Sequence, residues 1–139
     1  MPAYQSYSLL VGRILLSVIF IVSGVGKLAD PSGTIQDIAS TALPLPTVAY
    51  AGAVVVEIVG SLNILAGFRT RFSAAVLTVY TLAAALMFHN HFADPAQMIH
   101  FMKNVAMAGG FLCLVASGPG TLSLDAFATE RRVRRAPAR

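Results

Sequence analysis

The chain has 139 residues, is 56% hydrophobic and only 12% charged, whereas soluble domains carry roughly 25% charged residues. With a mean hydropathy of +0.72 and a formal net charge of +4, this inventory cannot furnish a water-facing surface. It excludes an ordinary soluble enzyme and points to a small polytopic membrane protein. Four apolar segments, 9–25, 48–66, 72–88 and 99–116, take up about half the chain. The expected organisation is one four-span transmembrane domain over 1–125 and a basic cytoplasmic tail over 126–139.

The first segment reads as a retained span. The residues before it carry no Lys or Arg, and Arg13 interrupts the apolar stretch, so a signal peptide does not fit. Gly24 and Gly26 close it, and Asp30 followed by Pro31 is an N-cap with proline at the first helical position. The short helix this predicts places Ile35, Ile38, Ala39 and Ala42 on one face, in the manner of an interfacial amphipathic helix, before Pro44 and Pro46 break the chain. Span two contains Glu57 and no other charge, and the five-residue link Gly67, Phe68, Arg69, Thr70, Arg71 forces span three to run antiparallel. Asp94, Pro95 and Gln97 predict a capped start to span four with Gln97 in a capping box. Ser117, Gly118, Pro119 and Gly120 stop it.

Helical spacing gives each span one semi-polar stripe. These are Arg13, Ser17, Phe20, Gly24 and Lys27 on the first, and Tyr50, Ala53, Glu57, Gly60 and Ile64 on the second. The third has Ser73, Tyr80, Ala84 and His91, and the fourth has His100, Lys103, Met107 and Gly110 with Asn104 beside them. Turning these stripes inward is the cheapest arrangement in lipid, which together with the small residues of the spans predicts an all-α, tightly packed four-helix transmembrane bundle. The positive-inside rule sets both termini in the cytoplasm: Arg69, Arg71, Arg131, Arg132, Arg134 and Arg135 fall on one side as membrane-side anchors. The tail suits anionic lipid better than nucleic acid, which is not expected as a partner.

A carboxylate at mid-membrane costs on the order of 2.5–3.5 kcal/mol and requires a partner. Depth favours an Arg13–Glu57 pair, with Lys103 and Asn104 lining the same cavity from the other side and Tyr80 as a hydroxyl donor. Arg13, Glu57, Tyr80, Lys103 and Asn104 are therefore the candidate ligand pocket, and Lys27, Asn63, His91 and His100 are secondary polar candidates. The same pair reads equally as a structural staple fixing helix register. His89, His91 and His100 cluster near one edge, but residues two apart on a helix point to different faces, so no metal site is expected. Cys113 stands alone, which excludes paired-cysteine chemistry. No nucleophile–base set, phosphate loop or haem attachment motif appears, so no catalytic residue is assigned and the chain is not expected to be a complete enzyme.

The chain resembles the DoxX family of small four-span bacterial membrane proteins. The matching residues are Gly12, Arg13, Ile14, Leu15 and Leu16 with Phe20, Gly24 and Lys27. Span two and its turn supply Glu57, Gly60, Leu65, Gly67, Arg69 and Arg71. Phe101, Lys103, Asn104, Gly109, Gly110, Gly118, Pro119, Gly120, Leu124 and Asp125 complete the match. The resemblance implies a place in the bacterial inner membrane and an association with redox proteins of sulfur or oxidative-stress chemistry. It extends to families similar to the membrane subunit of a quinone-linked oxidoreductase. The expectation is an anchoring or quinone-interacting subunit, with quinone as a non-covalent ligand. The bilayer and redox subunits are its partners, and a homo-oligomer is a further expectation. A ligand-free assembly protein and a small-molecule or ion carrier are the rival readings.

Overall fold

The computed structural model describes residues 2–41 and 43–135, with the side chains of 132–135 excepted. Among the described residues there are six helices and no strand: α1 (Ala3–Ala29), α2 (Pro31–Ala39), α3 (Pro46–Ala66), α4 (Thr70–Phe88), α5 (Pro95–Ser117) and α6 (Leu124–Arg135). Four of them, α1, α3, α4 and α5, are long and apolar enough to cross a membrane. Each outruns the apolar segment that marks it in the sequence, α1 most of all, because it begins at Ala3 rather than near Leu9.

The helices run alternately up and down. The near end of the bundle carries the start of α1, the α3–α4 turn and α6. The far end carries α2, the start of α3 and the α4–α5 link. Packing is closest between α1 and α3 and between α4 and α5, with α3 against α4 joining the two pairs, while α1 and α5 meet over a short stretch only. The core of Phe20, Ile64, Ala74, Leu77, Phe111 and Leu114 sits toward the near end. Gly60 lets Leu77 close on α3, and Gly110 lets Leu16 close on α5, since a Cβ on either would stand 3.2 Å from the leucine.

The outward surface explains the composition. Leu15, Val22, Val55, Val79, Leu86, Met102 and Leu112 are all exposed. In water they would form an apolar girdle far larger than a soluble monomer tolerates, and in a bilayer they face lipid. Tyr4, Tyr7, Phe68, Phe72 and Phe127, also exposed, ring the near end as an aromatic belt does.

Local signals work largely as expected. Asp30 caps α2 by accepting from Gly33 N at 2.9 Å, and Asp94 caps α5 by accepting from Ala96 N at 2.9 Å, each followed by proline. Gln97 does not complete a capping box; its Oε1 lies 2.8 Å from His89 Nδ1, tying the start of α5 to the end of α4. The amphipathic helix after span one is α2, with Ile38 buried, while Ala42 lies outside the described residues.

The near end holds an element that hydropathy and spacing do not announce. α6 follows a loop that docks on the α3–α4 turn and runs into the basic tail. There Gly67, at φ 69°, closes α3 with bonds from Gly67 N to Ile64 O (3.1 Å) and Phe68 N to Asn63 O (2.9 Å). A Cβ on Gly67 would also run into Arg13 Nη1 and Ser123. Arg69 then adopts φ 45°, a left-handed conformation that costs a non-glycine residue on the order of 1 kcal/mol. Asp125 offsets this by accepting from Arg69 N (2.9 Å) and Thr70 N (3.1 Å), the first donors of α4, while its own N–H donates to Gly67 O (2.9 Å). Of the expected anchors, Arg69, Arg71 and Arg131 are exposed at this end, and Arg131 lies over the Phe127 ring at 4.4 Å. The side chains of Arg132, Arg134 and Arg135 lie outside the described residues.

Candidate functional site

On α1 and α3 the stripes turn inward as helical spacing predicts, with Arg13, Ser17, Phe20 and Gly24 of α1 buried and Glu57, Gly60 and Ile64 of α3 likewise. On α5 the expected stripe is only partly covered, since His100 and Lys103 are exposed and the buried face is Ala108, Phe111 and Leu114. The pairing within them differs from expectation. Glu57 is 3% exposed, and its partner is Lys27, whose Nζ donates to both carboxylate oxygens at 3.0 Å. The Tyr80 hydroxyl donates to Glu57 Oε1 at 2.6 Å. Lys27 also donates to Ser23 Oγ at 2.8 Å, so all three of its N–H groups are engaged. The Tyr50 hydroxyl reaches back to Lys27 O at 3.2 Å and satisfies one of the open carbonyls at the end of α1.

Arg13 therefore does not meet Glu57. The reason is helical rise: a Cβ on Gly24 would touch Glu57 Cβ at 3.4 Å, so Gly24 and Glu57 share a level. Arg13 lies three turns back along α1, about 16 Å lower, whereas Lys27 lies one turn above. A Cβ on Gly67 would run into Arg13 Nη1, so Arg13 lies level with the α3–α4 turn at the very end of α3, whereas apolar composition alone puts it a turn inside the membrane. Arg13 is 1% exposed at the near end, where its Nη2 donates to Leu122 O at 2.6 Å. Its Nε and Nη1 have no hydrogen-bond partner among the described residues.

Above the Lys27–Glu57–Tyr80 cluster lies a cavity of about 620 Å³, within the range of small-molecule sites. Phe20, Glu57, Tyr80 and Met107 form its deep part, α3 and α4 its walls, and Thr34, Asp37 and Ile38 of α2 its roof. Glu57, Tyr80, Lys103 and Asn104 all line it, as do Lys27 and His100. Arg13 does not. Asn63 is also elsewhere, donating from Nδ2 to Ser73 Oγ at 3.3 Å near the α3–α4 turn. His91 is exposed on a separate depression beside Ser40 and Thr41.

The polar groups on the cavity wall differ in what they have left to give. Lys27 is fully engaged, and the Tyr80 proton is spent on Glu57, so Tyr80 offers an acceptor rather than the donor expected of it. Asn104 donates from Nδ2 to His100 O at 3.0 Å. Lys103 has no ion-pair partner among the described residues. Thr81 is fully buried on the wall, and its hydroxyl has no hydrogen-bond partner among the described residues. His89 and His100 stack at 5.1 Å between ring centroids, so two of the three histidines do converge, across α4 and α5 rather than along one helix. Among the described residues no group of three potential metal ligands occurs. Thr81 and Asp37 line the cavity without any sequence signal of it; Thr81 follows Tyr80 directly, a neighbour that helical spacing assigns to another face.

The chain matches the DoxX family model over residues 8–90. It is 38% identical over 128 residues to the inner membrane protein YqjF of Escherichia coli K12, covering 90% of this chain and 95% of that protein. It is 41% identical over 122 residues to the inner membrane protein YphA of the same organism, covering 84% of this chain and 87% of that protein. No solved structure matches it. Four apolar helices and this match over most of the chain give one conclusion: the chain is an integral membrane protein belonging to the DoxX family.

Proposed function

We propose that this protein is a bacterial inner-membrane subunit that holds a quinone-type ligand for a redox partner and does not complete a reaction alone. The observation that carries the reading is the cavity of about 620 Å³, apolar over most of its wall, with Lys103 and the Thr81 hydroxyl uncommitted beside a neutralised Glu57. A quinone head is flat and apolar with two carbonyl acceptors, so it needs an apolar slot and donors. Lys103 and Asn104 would supply donors, and the Tyr80 oxygen would accept from the hydroquinone form. Glu57, 2.6 Å from that oxygen, would take the proton onward. The electrons released with the protons would have to pass to the partner. The names of the two relatives support the inner membrane as location. The arginines of the near end, against Lys27 and Lys103 offset by Asp30, Asp37 and Asp94 at the far end, support cytoplasmic termini.

Titration of the detergent-purified protein with a quinone tests the reading. Lys103→Ala is expected to weaken binding roughly tenfold or more, the worth of a hydrogen bond from a charged donor. Unchanged affinity in both Lys103→Ala and Tyr80→Phe would sink the pocket assignment. Co-purification from the native membrane tests the partner: a flavin-, metal- or sulfur-handling protein is expected.

One observation favours a second reading. The Lys27–Glu57–Tyr80–Ser23 network is satisfied without any ligand, which suits a staple that fixes the register of α1, α3 and α4. Quinone binding separates the two, because a staple alone predicts none.

A further inference from the structure

The cavity is enclosed unevenly. Following α1 from the near end, Leu16 packs on α5 where Gly110 makes room, and the Phe20 and Phe111 rings meet at 5.4 Å. Above that level no hydrogen bond or ion pair joins the two helices among the described residues: Ser23 accepts from Lys27, Lys27 turns to Glu57 of α3, Asn104 bonds within α5, and Lys103 is unpaired. At the far end α2 packs on α3 and covers part of the cavity with Thr34, Asp37 and Ile38, and Thr41 stands across a second depression from Met87 and Phe88. The walls are α3 and α4, which pack on one another. The remaining side is the gap between α1 and α5, where Ile19 is 48% exposed yet lines the cavity, and Met107 lines it from across the gap.

We propose that the gap between α1 and α5 is a lateral portal to the lipid, so that the ligand is an amphiphile whose head lies on Lys103 and whose apolar tail leaves between Ile19 and Met107. This rests on the quinone-pocket reading and adds that the tail and the route are part of recognition. The chemistry follows from what borders the gap. Its deep edge is aromatic and aliphatic, which suits a hydrocarbon chain, and polar groups begin only above it at Ser23 and Lys103. Toward the far end the cavity is bordered by α2, with Ile38 5% exposed, and by the exposed His100 and Lys103, which suits a polar head group and not an apolar tail.

The test uses the full-length protein with Cys113→Ser, Ile19→Cys and Met107→Cys, which removes the native thiol and places one on each lip. Neither lip residue belongs to the polar cluster. A reducible bifunctional thiol reagent then bridges the lips, and binding of a long-tailed quinone is compared with that of a tailless quinone of the same head group. Bridging before the ligand is added is expected to lower long-tailed quinone binding at least about tenfold, with recovery on reduction. Bridging afterwards is expected to trap it. Equal binding of the long-tailed quinone to bridged and open protein would overturn the portal while leaving the pocket standing. If neither quinone binds the native protein, the pocket reading fails and the portal fails with it.

Discussion

Two buried charges divide the molecule, and they are handled in opposite ways. Glu57, beside the cavity, has a full set of charged and neutral donors from Lys27 and Tyr80. Arg13, in the closed half, is met by one carbonyl of the loop before α6, and two of its nitrogens have no hydrogen-bond partner among the described residues. A guanidinium so sparsely answered is held by its surroundings: α1, the α3–α4 turn and the loop into α6 close over it. The contrast separates roles. The Arg13 end is a latch that fastens the chain's last segment to its first helix, and the Glu57 end is a polar floor under open space.

That contrast can be broken by mutation. Glu57→Ala should give the largest loss of stability, about 3 kcal/mol, because it strands the Lys27 charge; this is the low end of the range for buried pairs, since Lys27 keeps some exposure. Thermal unfolding in detergent checks it, and Lys27→Met with Glu57→Leu should recover most of the loss. A double variant as unstable as Glu57→Ala would show that the pair does more than neutralise itself.

Arg13→Ala should cost about 2 kcal/mol, the scale of a charged hydrogen bond to a carbonyl, and should loosen the loop into α6. Protease cleavage in the loop around Leu122 should then outpace any change near Glu57. Equal loosening of both ends would contradict the division.

Asp125→Ala should cost about 1 kcal/mol through loss of the α4 cap. Asp125→Asn should cost less, because one side-chain oxygen still accepts; comparing the two melting curves decides whether the cap or the charge matters. The smallest expected effect is that of Tyr80→Phe, at most about 1 kcal/mol, since Glu57 keeps both bonds to Lys27.

Most of the architecture is legible in the sequence, and the reason is the solvent. In lipid a polar stripe has to turn inward, so the helical spacing of Arg13, Ser17, Phe20 and Gly24 is enough to name the buried face of α1. Asp30 with Pro31 and Asp94 with Pro95 likewise mark the starts of α2 and α5. What stays hidden is vertical register. Apolar composition locates each span but not its height against its neighbours, and because Gly24 stands level with Glu57, Lys27 takes the place of Arg13 as its partner. Long-range pairs are equally invisible: the role of Asp125 at the α3–α4 turn joins positions far apart in the chain. The stacking of His89 on His100 crosses two helices and leaves no periodic trace.

The central claim is that the space above Glu57 is a binding site. Filling it is the most direct test. Ala84 lines the cavity from α4 and is half-buried, so a phenyl group at that position takes up part of the space a ligand would need. Quinone affinity of purified Ala84→Phe should fall at least about tenfold, with thermal stability unchanged or raised. Quinone binding of undiminished affinity in a folded Ala84→Phe protein would contradict the account.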